Sequence, residues 1–182
     1  DYSTCFSCNT RKYVGDGGAR VQSTITDRAT SEDKSISTAT LTALARVPAH
    51  PVGVPERGLT PLTMKVFGVA IQGERHAYPH YDSKDLTSLI GVKKRMEGKA
   101  FSSEGKMSEA ALFGQNVFPS GGRNIVVTEG ELDACAAYQL QGSKFPAVSV
   151  RSATSALNDC KRNYLYLDSF ENVIVCFDND EV

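Results

Sequence analysis

Three short apolar runs, at residues 124–128, 145–150 and 173–177, are separated by two stretches of helical character at residues 131–141 and 153–167. Runs such as Asn124-Ile-Val-Val-Thr128 have no polar alternation, so as strands both of their faces need covering, and strands joined by helical crossovers pair in parallel. The expected fold is therefore α/β: a parallel sheet flanked by helices. In the second helical stretch, Ala156, Leu157, Cys160, Tyr164 and Leu167 are spaced for one apolar face. In such a sheet the loops at the carboxyl ends of the strands converge, and ligands bind at that edge.

That edge is acidic. Glu129 and Asp133 follow the first run, and Asp178 and Asp180 follow the third. One acid at a strand end is ordinarily a solvated side chain. Four of them in this order would repel each other unless a cation sat among them. Carboxylate oxygens are hard ligands suited to Mg²⁺ or Mn²⁺, ions that neutralise phosphate in nucleotidyl and phosphodiester chemistry.

Upstream the chain is organised differently. Cys5-Phe-Ser-Cys8 forms a knuckle, half of a tetrahedral zinc site. Residues 16–37 are Gly, Ser, Thr, Asp and Arg with hardly an apolar side chain, too little to offset chain entropy, and read as a tether. Thr60 followed by Pro61 predicts a short helix to about Phe67 with Leu62 and Val66 on one face. Residues 69–72 and 76–81, with Gly73 between them, predict a hairpin. Residues 84–106 carry six Lys and Arg against three acids.

Charge divides along the chain. Residues 1–128 hold 16 basic and 12 acidic side chains (+4), and residues 129–182 hold 4 and 9 (−5), which together give the net −1. A uniformly basic nucleic-acid coat is excluded, so any nucleic-acid contact must be a local patch. The five cysteines are an odd number and argue for a reducing compartment. Cys135, Cys160 and Cys176 read as small buried apolar residues. With no apolar run near the ~18 residues of a membrane span, the chain reads as soluble and cytoplasmic. It has no initiating Met and stops just after a strand-like run, and reads as a fragment cut at both ends.

Thr128-Glu129-Gly130-Glu131-Leu132-Asp133-Ala134, followed by Phe177-Asp178-Asn179-Asp180, resembles the Toprim domain of primases, type IA and type II topoisomerases, OLD-family nucleases and recombination-mediator proteins. The knuckle, the tether, the Arg57-Gly-Leu-Thr60 helix opening, Lys93-Lys-Arg95, Lys99-Ala-Phe101 and Ala111-Leu-Phe-Gly114 extend the likeness upstream, to the primase half of tailed-bacteriophage primase-helicases. The resemblance implies the C-terminal half of a zinc ribbon at residues 1–15, a flexible linker at 16–37, a small α+β basic subdomain at 38–120, and a Toprim domain, truncated at its C-terminus, at 121–182. It implies DNA primase activity: a nucleotidyltransferase making short RNA primers on single-stranded DNA from ribonucleoside triphosphates, in the host cytoplasm. The protein would be fused to or associated with a replicative helicase and a DNA polymerase.

Carried over residue by residue, Glu129 is the general acid or base and shares the metal, Asp178 and Asp180 are Mg²⁺ or Mn²⁺ ligands, and Asp133 is the acidic position on the first helix. Arg57, Lys93, Arg95, Lys99 and Lys106 would hold nucleotide and template, and Arg151 either contacts phosphate or caps a helix. Cys5 and Cys8 would hold Zn²⁺ in the full-length protein. Two readings compete: a Toprim nuclease or topoisomerase fragment, and a non-catalytic binding module of a replication complex. None of the seven tyrosines has a context that marks it as a topoisomerase nucleophile.

Overall fold

The computed structural model describes residues 2–4, 11–13 and 34–178 and divides the chain into two units, Asp1–Ser31 and Glu32–Val182. In the first, β1 (Tyr2–Thr4) and β2 (Arg11–Tyr13) pair antiparallel, with Tyr2 opposite Tyr13. Cys5, Cys8, most of the expected linker and, at the other end, Asp180 lie outside the described residues.

The second unit opens with α1 (Thr38–Arg46), a helix the sequence reading did not anticipate. Its cap is Ser37, whose hydroxyl accepts from the Thr40 N–H at 3.3 Å. Ile36, counted into the tether, packs instead against a cluster of Val47, Ala70, Ala77 and Val92. Next, α2 (Pro61–Phe67) begins at its Thr60 cap and stops at Gly68, which takes the left-handed φ of +67° that ends helices. Its buried face is Thr63, Met64 and Phe67, whereas Leu62, expected inside, is 68% exposed. The helix is rolled so that Phe67 stacks on Phe113 with ring centroids 5.5 Å apart and meets Tyr138 edge-on at 5.6 Å.

The expected hairpin is β3 (Ala70–Gln72) and β4 (Arg75–Tyr81), joined through Gly73 and Glu74. The basic stretch becomes β5 (Leu89–Arg95) and β6 (Phe101–Gly105), and the four strands form an antiparallel sheet in the order β3-β4-β5-β6. Pro79 sits in an inner strand because β3 pairs only with residues 75–77, so its missing N–H breaks no ladder bond on that side.

The parallel sheet follows: β7 (Gly122–Thr128), α3 (Glu131–Leu140), β8 (Ala147–Ser149), α4 (Ala156–Arg162), α5 (Tyr164–Leu167) and β9 (Phe170–Cys176), with strand order β8-β7-β9. The single helix expected over residues 153–167 is instead a 3-10 turn and two helices. Asn163, buried and donating from its side-chain nitrogen to the Asp159 carbonyl at 2.9 Å, ends the first helix. Leu157 and Tyr164 consequently point outward, 66% and 59% exposed. Coverage of the sheet is also incomplete: on β9, an edge strand among the described residues, Val173, Ile174, Val175 and Cys176 are exposed. Cys176 is therefore not the buried apolar residue expected, whereas Cys135 is fully buried.

The two sheets have separate clusters of their own and are joined by a third, in which Tyr78 of β4 and Phe113 pack with Leu132, Ala134 and Cys135 of α3. Phe113 exchanges backbone hydrogen bonds with Ser149 of β8 (2.9 and 3.1 Å) and packs edge-on to Tyr78 of β4, so the basic segment and the parallel sheet are sealed together. This joint fixes the position of the face of β4 and β5 against the start of α3.

Candidate active site

Strand register decides which basic side chains reach the acidic edge. Tyr78 pairs with Lys93, and His76 with Arg95, which in turn pairs with Phe101. Alternation along a strand puts Lys93 and Arg95 on one face and Lys94 on the other, where it pairs with Glu104. The first face meets the beginning of α3 in a pocket of about 120 Å³ lined by Arg57, Tyr78, Arg95, Phe101, Gly130 and Asp133, together with Glu131 and Leu132.

On the acidic side, β7 and β9 run parallel with Thr128 opposite Cys176, so Asp178 emerges beside Glu129 and Gly130. Asp133, in the first turn of α3, folds back over Gly130. A Cβ placed on that glycine would lie 2.6 Å from the Asp133 Oδ2, so any side chain there would push the Asp133 carboxylate out of this position. Partial burial and the charge of Asp178 hold the Asp133 carboxyl above its usual range, against the opposing pull of Arg57 and the Gly130 N–H. Glu129 is half-buried beside them. These hard oxygen donors suit a divalent cation, and the repulsion felt by Asp133 is what such an ion would relieve. Among the described residues no three acidic, His or Cys side chains converge as a complete ligand set.

Glu131 went unassigned in the sequence reading, which took it as the start of a helix. Only 3% exposed, it pairs with the Lys93 ammonium at 2.9 Å and stands 3.6 Å from His80 Nε2. Burial pushes its carboxyl up, but His80 and Lys93 together hold it below the usual glutamate value. Lys93 also donates to the Arg151 carbonyl at 2.7 Å and lies 5.1 Å from the centre of the Phe101 ring. The one sequence signal for this pairing is the i, i+2 spacing of Lys93 and Arg95, which needs residues 89–95 to be read as a strand.

The remaining basic candidates divide. Arg57 and Arg95 line the pocket. Lys106 is exposed and outside it. The side chain of Lys99 lies outside the described residues, although its backbone belongs to the short turn between β5 and β6. The guanidinium of Arg151 is engaged internally: Nε and Nη2 donate to Asp159 Oδ1 (2.8 and 2.5 Å) and Nη1 to the Met107 carbonyl (2.7 Å). Of the two roles left open for Arg151, a structural tie is the one its contacts describe.

No family model matches the chain. It is 39% identical over 110 residues to a DNA helicase/primase of Enterobacteria phage T3, a stretch covering 59% of this chain and 19% of that protein's length. It resembles the primase fragment of the bacteriophage T7 primase-helicase protein with a TM-score of 0.68 and 27% identity, over 99% of this chain and 72% of that one. A structure of bacteriophage T7 lagging-strand DNA polymerase interacting with primase domains bound to an RNA/DNA hybrid and dTTP matches with a TM-score of 0.63 and 34% identity, over 72% of this chain and 68% of that one. The DnaG catalytic core matches in fold, with a TM-score of 0.55 and 17% identity over 79% of this chain and 60% of that one.

Proposed function

Because the chain belongs to the primases of phage primase-helicases, we propose that it carries the polymerising site of a DNA primase, joining ribonucleoside triphosphates into a short primer on single-stranded DNA. The observation that carries this reading is the pocket itself, in which Arg57, together with Arg95 and Phe101 from the basic segment, faces Asp133 at the start of α3. A triphosphate needs cations around its phosphates and carboxylates for a metal, and the two sets meet there.

Asp178, Asp180 and Glu129 would hold Mg²⁺ or Mn²⁺, with Asp133 beside them. When bound there, such an ion would supply neutralisation of the developing pyrophosphate charge and greater acidity at the primer 3′-hydroxyl. Glu129 takes up the hydroxyl proton. Arg57 and Arg95 balance the phosphates from the opposite wall, and Phe101 offers a face for the base. Lys93 is held by Glu131 and the Arg151 carbonyl, so its charge is positioned before substrate arrives. Lys99 and Lys106 would extend the cationic path along the template, whose affinity would fall steeply with salt. Cys5 and Cys8 would supply half of a zinc site, and a replicative helicase and a DNA polymerase would be the partners in the host cytoplasm.

The test is dinucleotide synthesis on an oligodeoxynucleotide template by the intact protein. Asp178→Ala should abolish product while the far-ultraviolet spectrum is retained, and Arg95→Ala should raise the KM for nucleotide about tenfold. If the protein instead cleaves DNA with Mg²⁺ and makes no ribonucleotide product on any template, the nuclease reading replaces this one.

A further inference from the structure

The face of β4 and β5 that meets α3 holds a polar side chain the proposed chemistry does not use. Alternation puts His76, Tyr78 and His80 of β4 on this face, with Lys93 and Arg95 of β5 beside them. His76 and Tyr78 are bonded to each other, Nδ1 to hydroxyl at 2.8 Å. His80 has no such neighbour. It is 1% exposed, its ring lies tilted on that of Phe113 with centroids 5.8 Å apart, and among the described residues neither ring nitrogen has a hydrogen-bond partner.

Glu131 holds the complementary orphan. Its Oε2 accepts from the Lys93 ammonium at 2.9 Å, whereas among the described residues its Oε1 accepts nothing. His80 Nε2 stands 3.6 Å from that Oε1, about half an ångström beyond the usual N–H···O range. Buried polar atoms are costly to leave unpaired, and a shift of that size joins a ring N–H to a carboxylate oxygen without touching the Lys93 contact. His80, Glu131 and Lys93 then form a chain in which each group orients the next.

We infer that His80 is a positioning residue: by fixing the Glu131 carboxylate it holds the Lys93 ammonium in one place beside the pocket that Glu131 and Phe101 line. Without His80, the carboxylate can turn and offer either oxygen to Lys93, so the charge stays but its direction is lost. The consequence for nucleotide rests on the primase reading; the chain of three side chains does not.

The experiment compares His80→Phe with His80→Gln in the full chain by NMR, with lysine and histidine isotopically labelled at their side-chain nitrogens. His80→Phe keeps a ring against Phe113 and removes both nitrogens, and His80→Gln returns one N–H donor. The Lys93 ammonium is assigned by its loss in Lys93→Arg, and the Lys94 ammonium, paired with Glu104 on the opposite face, is the internal reference. His80→Phe should speed hydrogen exchange of the Lys93 ammonium about fivefold, the size of one ordinary hydrogen bond, leave Lys94 unchanged, and be rescued by His80→Gln. In the unaltered protein the His80 ring should carry a proton on Nε2, a measurement that needs no variant to fold. A bare Nε2 overturns the inference. So do an unchanged Lys93 rate in His80→Phe, equal acceleration at Lys93 and Lys94, and a His80→Gln protein no slower in exchange than His80→Phe. In dinucleotide synthesis, His80→Phe should raise the nucleotide KM about fivefold with little change in kcat. The exchange and proton readouts involve no primer synthesis, so an unaltered protein that makes no primer counts against the primase reading alone.

Discussion

Replacing Glu131 with Ala tests the buried charge pair that seats Lys93. Glu131 is 3% exposed, and the side chain of Lys93 16%, so the ammonium left behind has little water to replace its partner. Removing one member of a buried pair typically costs about 3–5 kcal/mol, most of it the penalty of the stranded charge. The Arg151 carbonyl still accepts one Lys93 N–H, which puts the expected loss at the lower end, about 3 kcal/mol. With a urea m value of about 2 kcal/mol/M, the unfolding midpoint should fall by about 1.5 M. The control is the double variant Glu131→Leu with Lys93→Met, which removes both charges and should recover most of the loss. A single-variant loss below about 1 kcal/mol, or a double variant no more stable than the single, refutes the argument that the pair is buried and coupled. The pH dependence carries the same information. The Glu131 carboxyl is depressed in the folded state, so its contribution is fully present above the ordinary glutamate value of 4.5 and is lost as pH falls through the folded value. In Glu131→Gln, the steepness of acid unfolding below pH 4.5 should therefore be reduced.

Asp133 has the opposite sign. Its carboxyl is raised above 3.8 by burial and by Asp178, so ionisation lowers stability as pH rises through that range, and Asp133→Asn should raise the metal-free melting temperature at pH 7 while reducing primer synthesis. Arg151→Ala strands Asp159, which is 2% exposed, and should destabilise by about 3–5 kcal/mol in thermal unfolding; an unchanged melting temperature with selectively weakened nucleotide binding would restore the phosphate-contact role. Phe113→Ala empties the joint between the two sheets and should cost about 3–5 kcal/mol in thermal unfolding; a loss below about 1 kcal/mol would contradict the packing of Phe113 between Phe67 and Tyr78.

The elements most legible in the sequence are those whose signals are local. Thr60-Pro61 and Gly68 bound α2 because a hydroxyl cap, a preset φ and a left-handed stop act within a few residues. The β-branched run before Glu129 is a strand, and the acids after it fall at the carboxyl edge, because parallel pairing of near-continuous apolar runs leaves few alternatives. Which face of α2 is buried was not legible: Leu62 and Val66 are as apolar as Met64, and the choice was made by Phe113 and Tyr138, residues distant in sequence. The break at Asn163 likewise depends on a buried amide finding the Asp159 carbonyl once the helix has docked.

At the candidate site, residue types were readable and pairings were not. The acids and the basic run are present in the sequence, but only strand register turns Lys93 and Arg95 toward α3 and Lys94 away, and only the docking of two sheets through Phe113 brings Glu131 under Lys93 and ties Arg151 to the Met107 carbonyl. Local propensity acts over a few residues and is written in the chain. Charge pairing across 38 residues is decided by which packed arrangement leaves no buried charge without a partner.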